Sequence, residues 1–343
     1  MPQQHNQSNF PCKNNLEWLR LIFALQVFLE HSASHLGFQI PSFVGAFPGV
    51  PAFFFVSGFL IYASYLNEPG KRYFINRFLR LYPGLVFVTF GGGCVAVAAL
   101  GVDDLLKNYQ TLSFWFVAQT TIGQAWNPEI FRGVGVGVIN GSLWTITVEI
   151  LFYLAIPLII WVEKRVKFFV FYITLMSFGV YSAGPILFAG AIYRDKSFYD
   201  FLALTPFVWG WIFGLGILSF KYWEILRSTL KFAPLFLVPV FIMMEFGSGA
   251  LFGSPKNRIG LIYFISYMLL VLWAAFITPY KKLSFDLSYG IYVWHMVVIN
   301  FLLVFQTPSF ILAAVLTISF AGFSWFWIEK PALKFKKKSL RPI

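Results

Sequence analysis

The chain is divided into stretches of about twenty apolar residues joined by short polar or Pro/Gly-containing links, and that recurring length constrains its fold more than any motif does. A bilayer core about 30 Å thick needs roughly 20 apolar residues per crossing helix. Ten such runs are present, at 16–36, 44–66, 82–100, 142–162, 168–188, 201–220, 232–247, 259–278, 284–305 and 309–328. A soluble fold fails on composition: 58% of the residues are hydrophobic and only 12% charged, where a globular chain averages about 25% charged residues. The sequence therefore predicts an all-α, polytopic membrane bundle of about ten transmembrane helices. Its two cysteines, Cys12 and Cys94, exclude a disulfide framework and a cysteine-rich zinc site. No run has the form of a cleaved signal peptide, and the first carries Glu17, Arg20, Glu30 and His31, so it is expected to remain in the mature protein.

Basic residues alternate between the links. Lys71, Arg72, Arg77 and Arg80 follow the second run, Lys164, Arg165 and Lys167 the fourth, Lys221, Arg227 and Lys231 the sixth, and Lys281 and Lys282 the eighth. Lys330, Lys334, Lys336, Lys337, Lys338 and Arg341 close the chain, with Lys13 at its start. The opposite links hold only Lys107, Arg132, Arg194, Lys196, Lys256 and Arg258. The cationic side is cytoplasmic, which places both termini inside. The predicted organisation is a short tail over 1–12, a membrane domain over 13–331 and a basic cytoplasmic tail over 332–343 that reads as a lipid-headgroup anchor. This bias accounts for most of the net charge of +12 and leaves no call on nucleic acid as a partner. The longest outward link, 101–141, holds the apolar stretch Leu112 to Ala118 and Gly133-Val-Gly-Val-Gly137, and could contain a re-entrant or surface helix.

Ionisable residues inside a span cost about 2.5 to 3.5 kcal/mol each on insertion scales, so they are functional candidates by default. Arg20 and His31 are eleven residues apart, within about 20° of one helical face and roughly 16 Å along it. Glu17 and His35 extend this polar stripe by a turn at each end. On the depth implied by opposite helix directions, His31 lies roughly 8 Å and Glu149 roughly 10 Å from the outer boundary. Equal depth suggests a base and its orienting carboxylate. The plainer alternatives are a structural ion pair between the two helices and an intrahelical Glu17–Arg20 pair. His295 falls near mid-membrane and reads more simply as a hydrogen-bonded core histidine, and Ser57-Gly58 as a helix-packing face; with Tyr292, both are candidate linings of a substrate tunnel. Arg77 and Arg80, three apart just inside the cytoplasmic boundary, suit an anion receptor or a membrane-surface helix, with Pro83 turning the chain back into the bilayer. Interfacial snorkelling is the alternative.

Weaker patterns also occur. His31 and His35 at i, i+4 lack an obvious third metal ligand, so no metal site is expected. Asp103-Asp104 resembles the metal-binding pair of a lipid-linked-sugar glycosyltransferase or simply solvated loop acids, and Asn140-Gly-Ser142 fits an N-glycosylation acceptor in a eukaryotic host.

Taken in order, Arg20 with ten residues before His31, Phe53-Phe-Phe-Val-Ser-Gly-Phe-Leu-Ile61, Arg77-Phe-Leu-Arg-Leu-Tyr-Pro83, Ser142-Leu-Trp-Thr-Ile-Thr-Val-Glu149, Ser288 to His295 and Trp327-Ile-Glu-Lys-Pro331 resemble acyltransferase family 3 over nearly the whole chain, about 13 to 331. The resemblance implies a membrane O-acyltransferase that moves an acyl group, usually acetyl, from cytoplasmic acyl-CoA to a hydroxyl of an extracytoplasmic glycan or lipid-linked sugar. It implies catalytic roles for Arg20, His31 and Glu149, and donor binding by Arg77 and Arg80, with Arg72 beside them. Acetyl-CoA is then a donor substrate and no cofactor is permanently bound. Many members carry a fused extracytoplasmic hydrolase-like domain; the form expected here is standalone, in a bacterial inner membrane. Glu30, beside His31, is outside the family pattern as quoted. A transporter or flippase for a saccharide or lipid-linked precursor is the competing reading, in which the polar seam is a substrate or proton path.

Overall fold

The computed structural model describes residues 13–193, 196–254 and 259–336. The tail 1–12 with Cys12, the loop cations Arg194, Lys256 and Arg258, and Lys337, Lys338 and Arg341 of the basic tail lie outside the described residues.

Each of the ten apolar runs is helical. In chain order the helices are α1 (Leu16–Leu36), α2 (Gly49–Asn67), α3 (Lys71–Lys107), α4 (Tyr109–Ile122), α5 (Trp144–Glu163), α6 (Phe169–Leu187), α7 (Phe198–Leu202), α8 (Pro206–Lys221), α9 (Trp223–Thr229), α10 (Leu237–Phe246), α11 (Gly249–Phe252), α12 (Leu261–Phe276), α13 (Ser288–Val304) and α14 (Phe310–Phe323). The strands β1 (Ala191–Tyr193) and β2 (Lys196–Ser197) form one short antiparallel ribbon, the only departure from an all-helical fold among the described residues. Six helical stretches are long and apolar enough to cross a membrane: Ser42–Asn67, Lys71–Lys107, Gly141–Glu163, Phe169–Leu187, Trp223–Phe246 and Phe310–Leu333. Helices α8, α12 and α13 are apolar but shorter, and α1, at 21 residues, is long enough but carries the polar stripe.

Local chemistry accounts for the boundaries that differ from expectation. The sixth run starts at Pro206 rather than 201, because Thr205 accepts a hydrogen bond from Phe207 N and proline suits the first helical turn. The segment bearing Arg77 and Arg80 is neither a separate surface helix nor turned by Pro83: α3 continues through Pro83. Membrane helices tolerate proline where neighbours satisfy nearby backbone. Here the Tyr289 hydroxyl donates to Leu81 O at 2.8 Å, in space that Gly84 leaves open; a Cβ there would meet the Tyr289 ring at 2.6 Å. The α3 axis breaks at Gly101 (φ 74°), beyond which Asp103 and Asp104 are exposed.

Packing depends on small residues where helices meet. A Cβ on Gly58 of α2 would lie 2.0 Å from Phe213 O of α8, and one on Gly216 of α8 would lie 2.1 Å from Phe55 O of α2. The two backbones are therefore in direct contact, as small-residue packing in membranes requires. At one end of the bundle, Glu163 at the C-terminus of α5 accepts from Tyr62 of α2 and pairs with Lys221 of α8. On the same principle of shared ends, Asn15, before α1, is held by Thr278 and Pro279 after α12, and Trp18 Nε1 donates to Lys281 O. The link 101–141 is placed as well: α4 contains the apolar stretch, and the glycine-spaced stretch folds onto α13. Asn300 accepts from Val136 N and donates to Val138 O and Ile139 O, while Gly135 (φ 53°) leaves the space the Asn300 side chain occupies.

Candidate active site

Helix α1 packs along α13, and two polar rungs join them. In the first, Asp286, just ahead of α13, lies 2.6 Å from Arg80 of α3 and 3.6 Å from Arg20 of α1. The same carboxylate accepts from Ser288 N at 3.1 Å and from the Ser288 hydroxyl. Two guanidinium groups and two hydrogen bonds thus converge on this one carboxylate. Further along both helices, His31 Nδ1 lies 2.8 Å from His295 Nε2. The spacings agree with parallel helices: eleven residues from Arg20 to His31 and nine from Asp286 to His295.

Beside the first rung lies a cavity enclosing about 830 Å³ of empty space, part of it open to the outside. Arg20, Arg77 and Arg80 line one part of it, Glu149 and Tyr153 another. Arg77 donates to Ser64 Oγ at 2.8 Å and its guanidinium lies 5.7 Å and 5.8 Å from the ring centres of Tyr73 and Tyr153. Its Nε is buried without a hydrogen-bond partner among the described residues. An anion or a polarised carbonyl entering the cavity meets several guanidinium groups, which suit oxyanions as forks rather than as point charges. Phe53, Thr145 and Tyr292 also line the cavity. The Tyr292 hydroxyl is 2.7 Å from Thr145 Oγ1, and its ring is 5.4 Å from Phe53 and 6.0 Å from His295. Tyr292 is thus shared between the cavity and the histidine pair.

Several sequence expectations change. Glu149 does not orient His31: it accepts from the Tyr153 hydroxyl and lines the cavity, while the ring partner of His31 is His295. Equal depth in the membrane does not set azimuth. Helix α5 packs on α2, α6 and α8, whereas α1 packs on α13, α2 and α12. His295 is wholly buried and does not line the cavity; Ser57 and Tyr292 do. The partner of Arg20 is Asp286 rather than Glu17, which is exposed. Arg77 and Arg80 lie six and nine residues into α3, at the cavity rather than at its surface end, and Arg72 is exposed outside it. Asn140 is 2% exposed and donates to Val293 O, with Ser142 bonded to its Oδ1, so it is an internal strut and not a glycan acceptor.

Two acids of the site were missed. Asp286 had a signal: an aspartate two residues ahead of Ser288 at the start of an apolar run, in a chain with two intramembrane arginines still to be paired. Glu329, 2% exposed and bonded to Ser324 Oγ at 2.7 Å, sits in a π-helical turn over Ser324–Glu329; nothing in the local sequence marks that turn.

A bundle of apolar helices of membrane-crossing length, with a partly buried arginine-lined cavity and an imidazole pair near it, defines the class as a multi-pass membrane protein. Residues 13–328 match the acyltransferase domain of acyltransferase family 3, and the chain belongs to that family and is an acyltransferase. Among similar curated proteins, nodulation protein 10 of Rhizobium leguminosarum bv. viciae is 29% identical, the match covering 96% of each chain. The O-acetyl transferase of Shigella phage Sf6 is 26% identical over 92% of this chain and 95% of its own. No solved structure matches the chain.

Proposed function

We propose that the chain is a membrane O-acyltransferase that carries an acetyl group from cytoplasmic acetyl-CoA to a hydroxyl of an extracytoplasmic glycan or lipid-linked sugar. The observation that carries this reading is that the arginine cavity adjoins the histidine pair through Tyr292, whose ring lies 6.0 Å from that of His295, and that α1 supplies both Arg20 and His31. The phage O-acetyl transferase supports transfer to oxygen, and the loop charges support donor entry from the inside. The ten helical runs are then ten spans, with the Glu163–Lys221–Tyr62 end and the start of α1 cytoplasmic.

In this scheme Arg77 and Arg80 attract the anionic end of the donor, and Arg20 faces the arm bearing the thioester. Phe53 and Tyr292 admit the acetyl group to the histidine pair. His31 removes the proton from the acceptor hydroxyl as that oxygen attacks the thioester carbonyl. The C–S bond breaks, the sulfur leaves with its electron pair, and the proton passes from His31 to the thiolate, giving free CoA and the acetyl ester. Glu149, hydrogen-bonded to Tyr153 in the cavity wall, balances the guanidinium charge rather than assisting His31. The membrane is that of a bacterial cell, its inner one where two exist.

The test uses liposomes containing the purified protein, with acetyl-labelled acetyl-CoA on the face bearing the basic links and a lipid-linked saccharide or glycan polymer on the other. Label on the glycan is expected. Hydrolysis of the donor with no label on any hydroxyl acceptor would overturn the proposal.

A further inference from the structure

We propose that His295 is the positioning residue of His31, holding it in the tautomer that carries its proton on Nδ1, so that Nε2 is the nitrogen that accepts the acceptor's proton. The inference rests on His31 being the base, and derives from two successive contacts, one within α13 and one between α13 and α1. His295 Nδ1 lies 3.2 Å from the carbonyl oxygen of Ile291, one turn back on its own helix. A carbonyl oxygen can only accept, so that Nδ1 carries a hydrogen. A neutral imidazole has one N–H, which leaves His295 Nε2 bare and able only to accept. His31 Nδ1, 2.8 Å away, must therefore donate to it. By the same count Nε2 of His31 is unprotonated, and it has no hydrogen-bond partner among the described residues.

The surroundings enforce this order. His295 is fully buried, so no water competes for its Nε2, and an acceptor left unpaired there would be costly. Its ring is anchored by the turn of α13 that Asn140 and Ser142 also grip, through Val293 O and Tyr292 O. Among the described residues only His295 hydrogen-bonds to His31: Glu149 is bonded to Tyr153, and His35, with ring centres 6.1 Å apart, makes no hydrogen bond to it. When His31 takes the acceptor proton on Nε2 it becomes imidazolium, and its Nδ1–H keeps the bond to His295 as the charge forms. The proton then returns from Nε2 to the departing thiolate, and the relay is restored without any net transfer to His295.

The relay is read directly by nitrogen NMR of histidine-labelled protein in detergent at neutral pH. The chain has only four histidines, and loss of signals in H31Q and H295Q assigns the pair. Protonated Nδ1 and bare Nε2 on both rings are expected; a proton on Nε2 of His31 overturns the proposal. Kinetics give a second readout. H295Q places an amide oxygen where it can accept from His31 and should retain turnover within about tenfold, whereas H295L should lose about 10²-fold or more in kcat, with the KM for acetyl-CoA unchanged. Equal losses in the two variants, or a loss confined to KM, would count against positioning. Retained turnover in H31A would instead sink the base assignment itself, so the two failures are distinguishable.

Discussion

His31 of α1 faces His295 of α13 across 2.8 Å, and one turn of α13 behind that contact Tyr292 lines a cavity together with Arg20, Arg77 and Arg80. The proton-transfer centre and the anion-binding space thereby adjoin through a single side chain. That side chain is itself held by Thr145 at the start of α5.

Replacement of His31 by alanine is expected to lower acetyl transfer by about 10²- to 10⁴-fold, the usual contribution of a general base. The protein should still insert and elute as the wild type does in detergent. Turnover measured beside a size-exclusion profile checks both halves of this expectation.

Asp286 neutralises Arg20 and Arg80 together. Removing it by Asp286→Ala leaves two partly buried cations without their shared partner, and breaking such a cluster costs about 3 to 5 kcal/mol. The variant should unfold at clearly lower temperature than Asp104→Ala, which alters an exposed acid beyond the Gly101 break. Thermal unfolding in one detergent compares them.

Arg77→Ala should weaken CoA binding more than Arg72→Ala, because Arg77 lines the cavity and Arg72 does not. Loss of one charge-assisted contact to a phosphate or carbonyl corresponds to about 1.5 to 3 kcal/mol, or roughly 10- to 150-fold in affinity. Calorimetry with CoA decides; equal effects would move the donor site outward along α3.

Gly58→Ala is expected to destabilise the bundle, by about 1 to 3 kcal/mol, since its Cβ must displace the backbone carbonyl of Phe213 rather than a flexible side chain. The same change at Gly93, whose nearest neighbour for a Cβ is 3.9 Å away, should be almost silent. Melting temperatures of the two variants provide the comparison.

Much of the architecture was legible beforehand. The ten apolar runs and the alternation of basic links follow from length and charge, and Arg20, Arg77, Arg80 and Glu149, singled out by motif, line one cavity. Even Ser57-Gly58 divides as its neighbours suggest, with Gly58 against α8 and Ser57 in the cavity wall. The local partners were less legible. Depth can be counted in residues along each helix, but pairing depends on rotation about the axis and on which helices are adjacent, and neither is written in a single run. Glu149 and His31 therefore match in height although α2 packs against both of their helices and His31 finds its ring partner on α13.

The amino-acid order alone determined that this chain forms apolar helices of membrane-crossing length and which links carry its basic residues, because burial of apolar length and the expense of charge in hydrocarbon act on each segment independently. Only the tertiary structure decided that His295 and not Glu149 meets His31, that Asp286 serves two arginines, and that Tyr292 adjoins both cavity and imidazoles. Those contacts depend on the azimuth each helix takes when close-packed small residues let particular backbones touch, a property of the assembled bundle rather than of any one helix.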